Sequence, residues 1–131
     1  MKKETIHKLD EVFSEYVRLR DSDNNGMVNC ISCNQRSDWK MSDAGHFIPR
    51  ANMSTRYHEQ NVNGQCQICN RMDNGNEIGY RVGLEKKYGE GVDLYLEDLK
   101  HKTVKISDTE GKELIAHYRK EVKRIKKEKN I

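Results

Sequence analysis

An α+β domain with helices at both ends is the fold class this sequence predicts. Three observations carry it: an amphipathic stretch near the amino terminus, two C-x2-C pairs in the middle, and a capped, basic amphipathic stretch near the carboxyl end. At 131 residues the chain is the size of one domain. Leu, Ile, Val and Phe account for 26 of the 131 residues, at the edge of what folds on apolar burial alone. A net charge of +3 argues against outright disorder. A core this small needs another source of stability, and a structural metal is one.

The elements follow in order. In residues 5–20, Ile6, Leu9, Val12, Phe13, Tyr16 and Val17 recur at three- and four-residue steps, one apolar stripe on a helix. DSDNNG, at 21–26, stops that helix with turn formers. MVNCISC is a short strand or knuckle leading into the first cysteine pair, and residues 34–64 read as polar and irregular. Pro49, the only proline, argues against a regular helix through this stretch. A helix is expected to begin near Cys69 or Asn70 and to end at a glycine stop within YRVGLEKKYGEG, with Gly75 and Gly79 weakening it. VDLYLEDLK is a further short amphipathic helix. SDTE, at 107–110, has capping-box spacing, and the helix it opens carries Leu114, Ile115, Tyr118, Val122 and Ile125 on one face. The expected organisation is one domain: an N-terminal helix at 1–22, a cysteine-stapled core at 23–90 and a basic helical tail at 91–131.

MKKETIHKLD has lysines without an apolar stretch behind them, unlike a secretory signal. No run approaches the roughly 18 to 20 apolar residues of a membrane span. The expected location is the cytoplasm, where thiols stay reduced. Cys30, Cys33, Cys66 and Cys69 then read as metal ligands. Two C-x2-C knuckles separated by 32 residues supply four thiolates, enough to close a tetrahedral structural zinc site. A closed site has no open position for water, so chemistry must come from residues beside it. A deaminase-like H-x-E motif is missing, because Ile48 stands two residues after His46, and Gln65 rather than proline precedes Cys66. HExxH is absent as well.

Three polar residues stand out around the knuckles: His46 in AGHFIPR, Asn61 five residues before Cys66, and Asn70 directly after Cys69. The order C-x2-C, G-H-F-I-P, Q-N-V-x-x-Q-C-x-x-C-N resembles the HNH, or His-Me finger, nucleases, whose ββα-metal core is often stapled by cysteine pairs. AGHFIPR, NVNGQCQICN and IGYRVGLEKKYG together resemble the lambdoid phage NinG (Rap) family of recombination proteins over roughly residues 28–100. That resemblance implies a divalent-metal-dependent DNA endonuclease acting on branched DNA such as Holliday junctions, in the cytoplasm of a bacterial host. His46 takes the general-base position, and an imidazole can accept a proton from water near neutrality. Asn61 takes the middle position, where its amide can bridge backbone groups and hold the histidine strand. Asn70 takes the third, where its side-chain oxygen suits a catalytic Mg2+ or Mn2+. Many HNH enzymes carry a metal ligand immediately before the base, where this chain has Gly45. Asp43 and His58 are candidates for that missing ligand.

The segment 118–129 holds seven Lys or Arg against two Glu, which points to a polyanionic partner. The expected DNA contacts are Arg50, Arg56 and Arg71 near the motif and Lys123 and Lys127 on the last helix. Symmetric cutting of a junction takes two active sites, so a homodimer is among the expected assemblies. The alternative reading is a non-catalytic zinc module that binds nucleic acid, with the histidine and asparagines structural. A protein-interaction zinc module is a third.

Overall fold

The computed structural model describes residues 1–131. Its elements in order are α1 (Lys3–Arg20), β1 (Met27–Asn29), β2 (Arg36–Asp38), β3 (Asp43–His46), α2 (Met53–Arg56), β4 (Val62–Gln65), a single wide turn at Ile68–Met72, α3 (Glu77–Tyr88), α4 (Val92–Leu99) and α5 (Asp108–Lys129). The class is α+β as expected. The strands form two antiparallel hairpins, β1 with β2 and β3 with β4. The second hairpin pairs Asp43 with Gln65 and His46 with Val62. No helix is long and apolar enough to cross a membrane.

α1 and α5 form because each has one apolar stripe, and they fold because the two stripes meet. Leu9, Phe13 and Val17 of α1 share a buried cluster with Ile115, Tyr118, Val122 and Ile125 of α5, and with Val28, Trp39 and Val62 of the hairpins. α5 is capped as its spacing predicts: Ser107 Oγ accepts from the Glu110 amide at 3.0 Å. The aromatic rings of Phe13 and Tyr16 lie 4.9 and 4.8 Å from that of Tyr118. The hydroxyls of Tyr16 and Tyr118 both donate to the carboxylate of Glu59, at 2.5 and 3.1 Å, so the loop before β4 is tied to both helices. α5 is therefore a wall of the main core, and its basic residues cover the outer side of that wall.

A second, smaller cluster gathers Ile48, Tyr80, Leu84, Val92 and Leu96 from the β3–β4 loop, α3 and α4. Two expectations change here. The stretch 34–64 is not irregular: it contains β2, β3, α2 and the start of β4. Those strands are only three or four residues long, and the buried residues around β4 include Asn61, Asn63 and Gln65, so no apolar alternation marks them. The helix expected from Cys69 or Asn70 is a single turn that closes at Met72, with Asp73 N–H reaching the Ile68 carbonyl at 3.0 Å. Asn74, Gly75 and Asn76 then all take positive φ (48°, 81° and 43°), which ends any right-handed helix. α3 begins only after Asn76, whose side chain caps it by accepting from Gly79 N–H at 3.2 Å.

Removing residues 113–131 takes Ile115, Tyr118, Val122 and Ile125 out of the main core together. We expect the truncated chain to lose its cooperative thermal transition, read by circular dichroism. Ile125→Ala in the full chain should cost about 2–4 kcal/mol in a denaturant melt.

Candidate functional site

The four cysteine sulfurs lie within 4.8 Å of one another, and all four thiols are free of disulfides. A tetrahedron with about 2.3 Å metal–sulfur bonds has sulfur–sulfur edges of roughly 3.8 Å, and Cys33 and Cys66 already stand 3.7 Å apart. Backbone N–H groups of Ser32 and Cys69 donate to Cys30 and Cys66 sulfur at 3.4 Å, and Asn76 Nδ2 donates to Cys69 at the same distance. Donors aimed at sulfur favour thiolate over thiol. The donor set and its geometry fit a single metal ion such as zinc. α3 braces the cluster through a close approach: a Cβ at Gly83 would lie 1.9 Å from the Ile31 carbonyl oxygen, and one at Gly79 2.2 Å from that of Ser32. Only glycine lets the helix lie this near the first knuckle.

The second knuckle continues directly into the Ile68–Met72 turn, which places Asn70 beside β3. A cleft of about 430 Å³ opens there, lined by His46 and Asp43 of β3, Asn70 and Arg71 of the turn, and Asp10 and Arg18 of α1, with Arg50 at its rim. His46 and Asn70 therefore share one concavity although 23 residues lie between them. Asn70 Nδ2 donates to Asp43 Oδ2 at 2.9 Å, which leaves Asn70 Oδ1 as an acceptor. Arg71 grips the same carboxylate through Nε and Nη2, at 2.9 and 2.8 Å. Of the two candidates for the missing ligand, Asp43 is in the cleft. His58 is not: its Nδ1 accepts from Gln60 N–H at 3.2 Å and its ring meets the Tyr95 ring edge-on at 5.7 Å.

The state of His46 follows from its partners. Its Nε2 lies 3.0 Å from the Arg56 carbonyl oxygen. A carbonyl accepts only, so Nε2 carries the proton and Nδ1 keeps its lone pair. Burial pushes the imidazole pKa down to about 4; the carbonyl bond and Asp10 oppose this, and the charges of Arg50 and Arg56 add to it. The ring is thus neutral, with one free acceptor nitrogen, throughout the neutral range. Asn61 is fully buried and does not reach the cleft. Its Oδ1 accepts from Ile48 N–H at 2.8 Å, and its Nδ2 donates to the carbonyls of Ile48 and Thr55 at 3.1 and 3.0 Å. It clasps the loop that carries the Arg56 carbonyl.

The cations divide sharply. Arg56, expected among the phosphate contacts, is clamped instead by Asp10, through Nε at 3.1 Å and Nη2 at 2.6 Å, and its side chain is 15% exposed. Arg50 is 60% exposed and only grazes Asp10 at 3.4 Å. Lys123 and Lys127 are exposed on α5 and do not line the cleft; Lys123 sits at a separate groove between α1 and α5. Sequence reasoning missed Asp10 and Arg18, and read Tyr80 as a packing residue, which its place in the second core cluster bears out. Tyr80, fully buried, donates to the Gly45 carbonyl at 2.6 Å and accepts from Asn63 Nδ2 at 3.2 Å, fixing β3 from behind. A signal for the α1 pair was present: Asp10, Ser14 and Arg18 fall at i, i+4 and i+8, one polar row beside the apolar stripe.

Two outcomes test this geometry. Cys66→Ser should lower bound metal from one ion per chain to a small fraction, read by elemental analysis, and should broaden or abolish the melt. A Cβ on Gly45 would meet Gln65 Oε1 at 1.9 Å and Gln65 Cβ at 3.1 Å, with Gln65 itself buried. Gly45→Ala should therefore destabilise by about 1–3 kcal/mol while retaining the metal.

The family model described as Bacteriophage Lambda NinG protein matches residues 1–128. Protein ninG of Salmonella phage P22 is 31% identical over 123 residues, covering 92% of this chain and 57% of that protein. Protein ninG of Escherichia phage lambda is 30% identical over the same length and coverage. Protein ninG of Escherichia phage 933W is 33% identical over 86 residues, 65% of this chain and 40% of that protein. This chain thus spans little more than half the length of the relatives it matches most fully. No solved structure matches it. With nearly the whole chain under the family model, it belongs to the NinG family of lambdoid phage proteins.

Proposed function

We propose that this protein is a DNA endonuclease of the HNH type, dependent on Mg2+ or Mn2+ and stapled by one zinc ion on Cys30, Cys33, Cys66 and Cys69. The observation that carries the reading is that His46, its Nε2 held by the Arg56 carbonyl and its Nδ1 without a hydrogen-bond partner, lines the cleft that also holds Asn70 and Asp43. A neutral imidazole with its other nitrogen fixed on a carbonyl has the lone pair that a general base needs, and burial keeps that lone pair unprotonated at neutral pH while making it a weaker base than a free imidazole. The hydroxide so formed would attack a phosphodiester phosphorus, breaking the bond to the leaving oxygen. Asn70 Oδ1 and the Asp43 carboxylate are the oxygen donors that would hold the hard cation, with Asp43 supplying the charge that Gly45 cannot. When bound, that cation would stabilise negative charge on the phosphate and the leaving oxygen.

Asn61 acts at a distance. By clasping the Ile48–Thr55 loop it keeps the Arg56 carbonyl under Nε2, and so keeps the tautomer that leaves Nδ1 open. Branched recombination intermediates are the substrate class the family resemblance favours, and a homodimer would supply two cuts. The rival is a non-catalytic, nucleic-acid-binding zinc module. One observation favours it: Arg71 already occupies both oxygens of Asp43, standing where a divalent cation would compete.

His46→Ala should keep metal content, melting temperature and DNA affinity while cleavage of a branched duplex falls by about 10²–10⁴-fold. A wild-type protein that binds but cuts no branched or linear DNA with Mg2+ or Mn2+ would hand the case to the rival. Because the inactive, protonated imidazole accumulates only as pH falls toward about 4, the single-turnover rate should show no histidine-like inflection between pH 6 and 8. An inflection near 6.5 that persists in His46→Ala would mean that a different histidine is the base.

A further inference from the structure

The cleft lining holds two cations without an ion-pair partner, Arg18 and Lys40, and Arg18 is the one held in place by hydrogen bonds. Of the basic groups in and around it, Arg71 is paired with Asp43, Arg56 with Asp10, and Arg50 weakly with Asp10. Arg18 has no carboxylate partner. Its Nε donates to Ser14 Oγ at 3.2 Å and its Nη1 to the Trp39 carbonyl at 3.0 Å, both neutral acceptors. The guanidinium also lies over the Trp39 indole, 5.4 Å from the ring centre. Three restraints fix its plane and leave Nη2 uncommitted. Burial draws its pKa below the ordinary arginine value, and Glu15 and Asp43 oppose that; an arginine remains a cation under these conditions.

We propose that Arg18, delivered by α1, is a phosphate-binding residue of the cleft, contacting a DNA phosphodiester oxygen through Nη2. The inference rests on the DNA reading given above and goes beyond it: an arginine of the N-terminal helix, outside the cysteine-and-histidine motif, completes the substrate site. A guanidinium preorganised by neutral partners is worth more to an incoming anion than one that must first leave a carboxylate. The cleft lining favours the same ligand, with Arg18, Lys40, Arg50 and Arg71 against Asp10 and Asp43. Lys40, the remaining cation, lies 5.9 Å from the centre of the same indole. Trp39, the only tryptophan, therefore reports on this spot.

The test is binding of a 20-base-pair duplex, without added Mg2+ or Mn2+ and without chelator so that the zinc stays, followed by Trp39 fluorescence and by anisotropy of labelled DNA. Arg18→Gln should weaken binding about tenfold, lower the salt slope by about one and abolish the Trp39 response. Arg18→Lys, which keeps the charge and loses the planar fork, should recover only part of the affinity. Arg124→Gln, the same charge loss on α5, should stay within about twofold of wild type. Equal affinity and salt slope for Arg18→Gln and wild type would overturn the proposal. If Arg18→Gln fails to fold, Arg18→Lys decides, and wild-type affinity there is equally fatal. Binding without cleavage would remove the nuclease reading and leave Arg18 standing. Cleavage undiminished in a folded Arg18→Gln would do the reverse.

Discussion

Four sulfurs brought within 4.8 Å of one another are the constraint on which the other contacts depend. They join the knuckle that follows β1 to the knuckle that follows β4, and so connect two apolar clusters too small to define a fold separately. A metal ion on these four sulfurs would do this without apolar area, because its binding free energy would become folding free energy. Its position also matters for the polar side chains. Asn70 reaches β3 because it immediately follows the last sulfur, and α3 lies against Ile31 and Ser32 because two glycines permit contact with the knuckle backbone.

Polar groups buried behind the β3–β4 hairpin do the finer positioning. Asn61, Asn63 and Tyr80 are almost inaccessible, and hydrogen bonds join them to one another or to backbone carbonyls. Such groups are costly when unpaired and directional when paired. Here the direction is what counts: Tyr80 holds the Gly45 carbonyl on one side of β3 and Asn61 holds the loop opposite. His46 sits between a fixed strand and a fixed carbonyl, which selects the tautomer.

Charge pairing sorts the arginines into different roles. Asp10 of α1 takes Arg56, and with it the segment whose carbonyl receives His46, so the N-terminal helix is joined to the histidine through an ion pair and a hydrogen bond. Asp43 takes Arg71 and Asn70 together. Arg18 is left held by a serine, a carbonyl and an indole. An uncompensated charge in a concave polar site is favourable to an anion and to little else. The basic outer face of α5, the most conspicuous charge run in the sequence, is the back of a core helix whose inner face does the packing.

Much was legible without coordinates. The stripes of α1 and α5, the Ser107 cap, the glycine stop after α3 and the gathering of four cysteines all follow from local rules: helical period, capping geometry and knuckle spacing. His46, Asn61 and Asn70 stood out by order and spacing around those cysteines, and the structure brings His46 and Asn70, but not Asn61, to one cleft. The short strands were not found, because the residues they bury include Asn and Gln, which carry no apolar period. The break at 73–76 was underestimated, because three successive left-handed residues cannot be read from two asparagines and a glycine. What sequence alone determined was each element with its own pattern, and the four thiols able to hold a metal, whose chemistry is set by residue type. What only tertiary structure decided was partnership: which arginine meets which carboxylate, which carbonyl meets Nε2, and that Asp43 rather than His58 faces the cleft. Those are distances between residues far apart in the chain, and charge or hydrogen-bonding capacity in a sequence does not say where it will be spent.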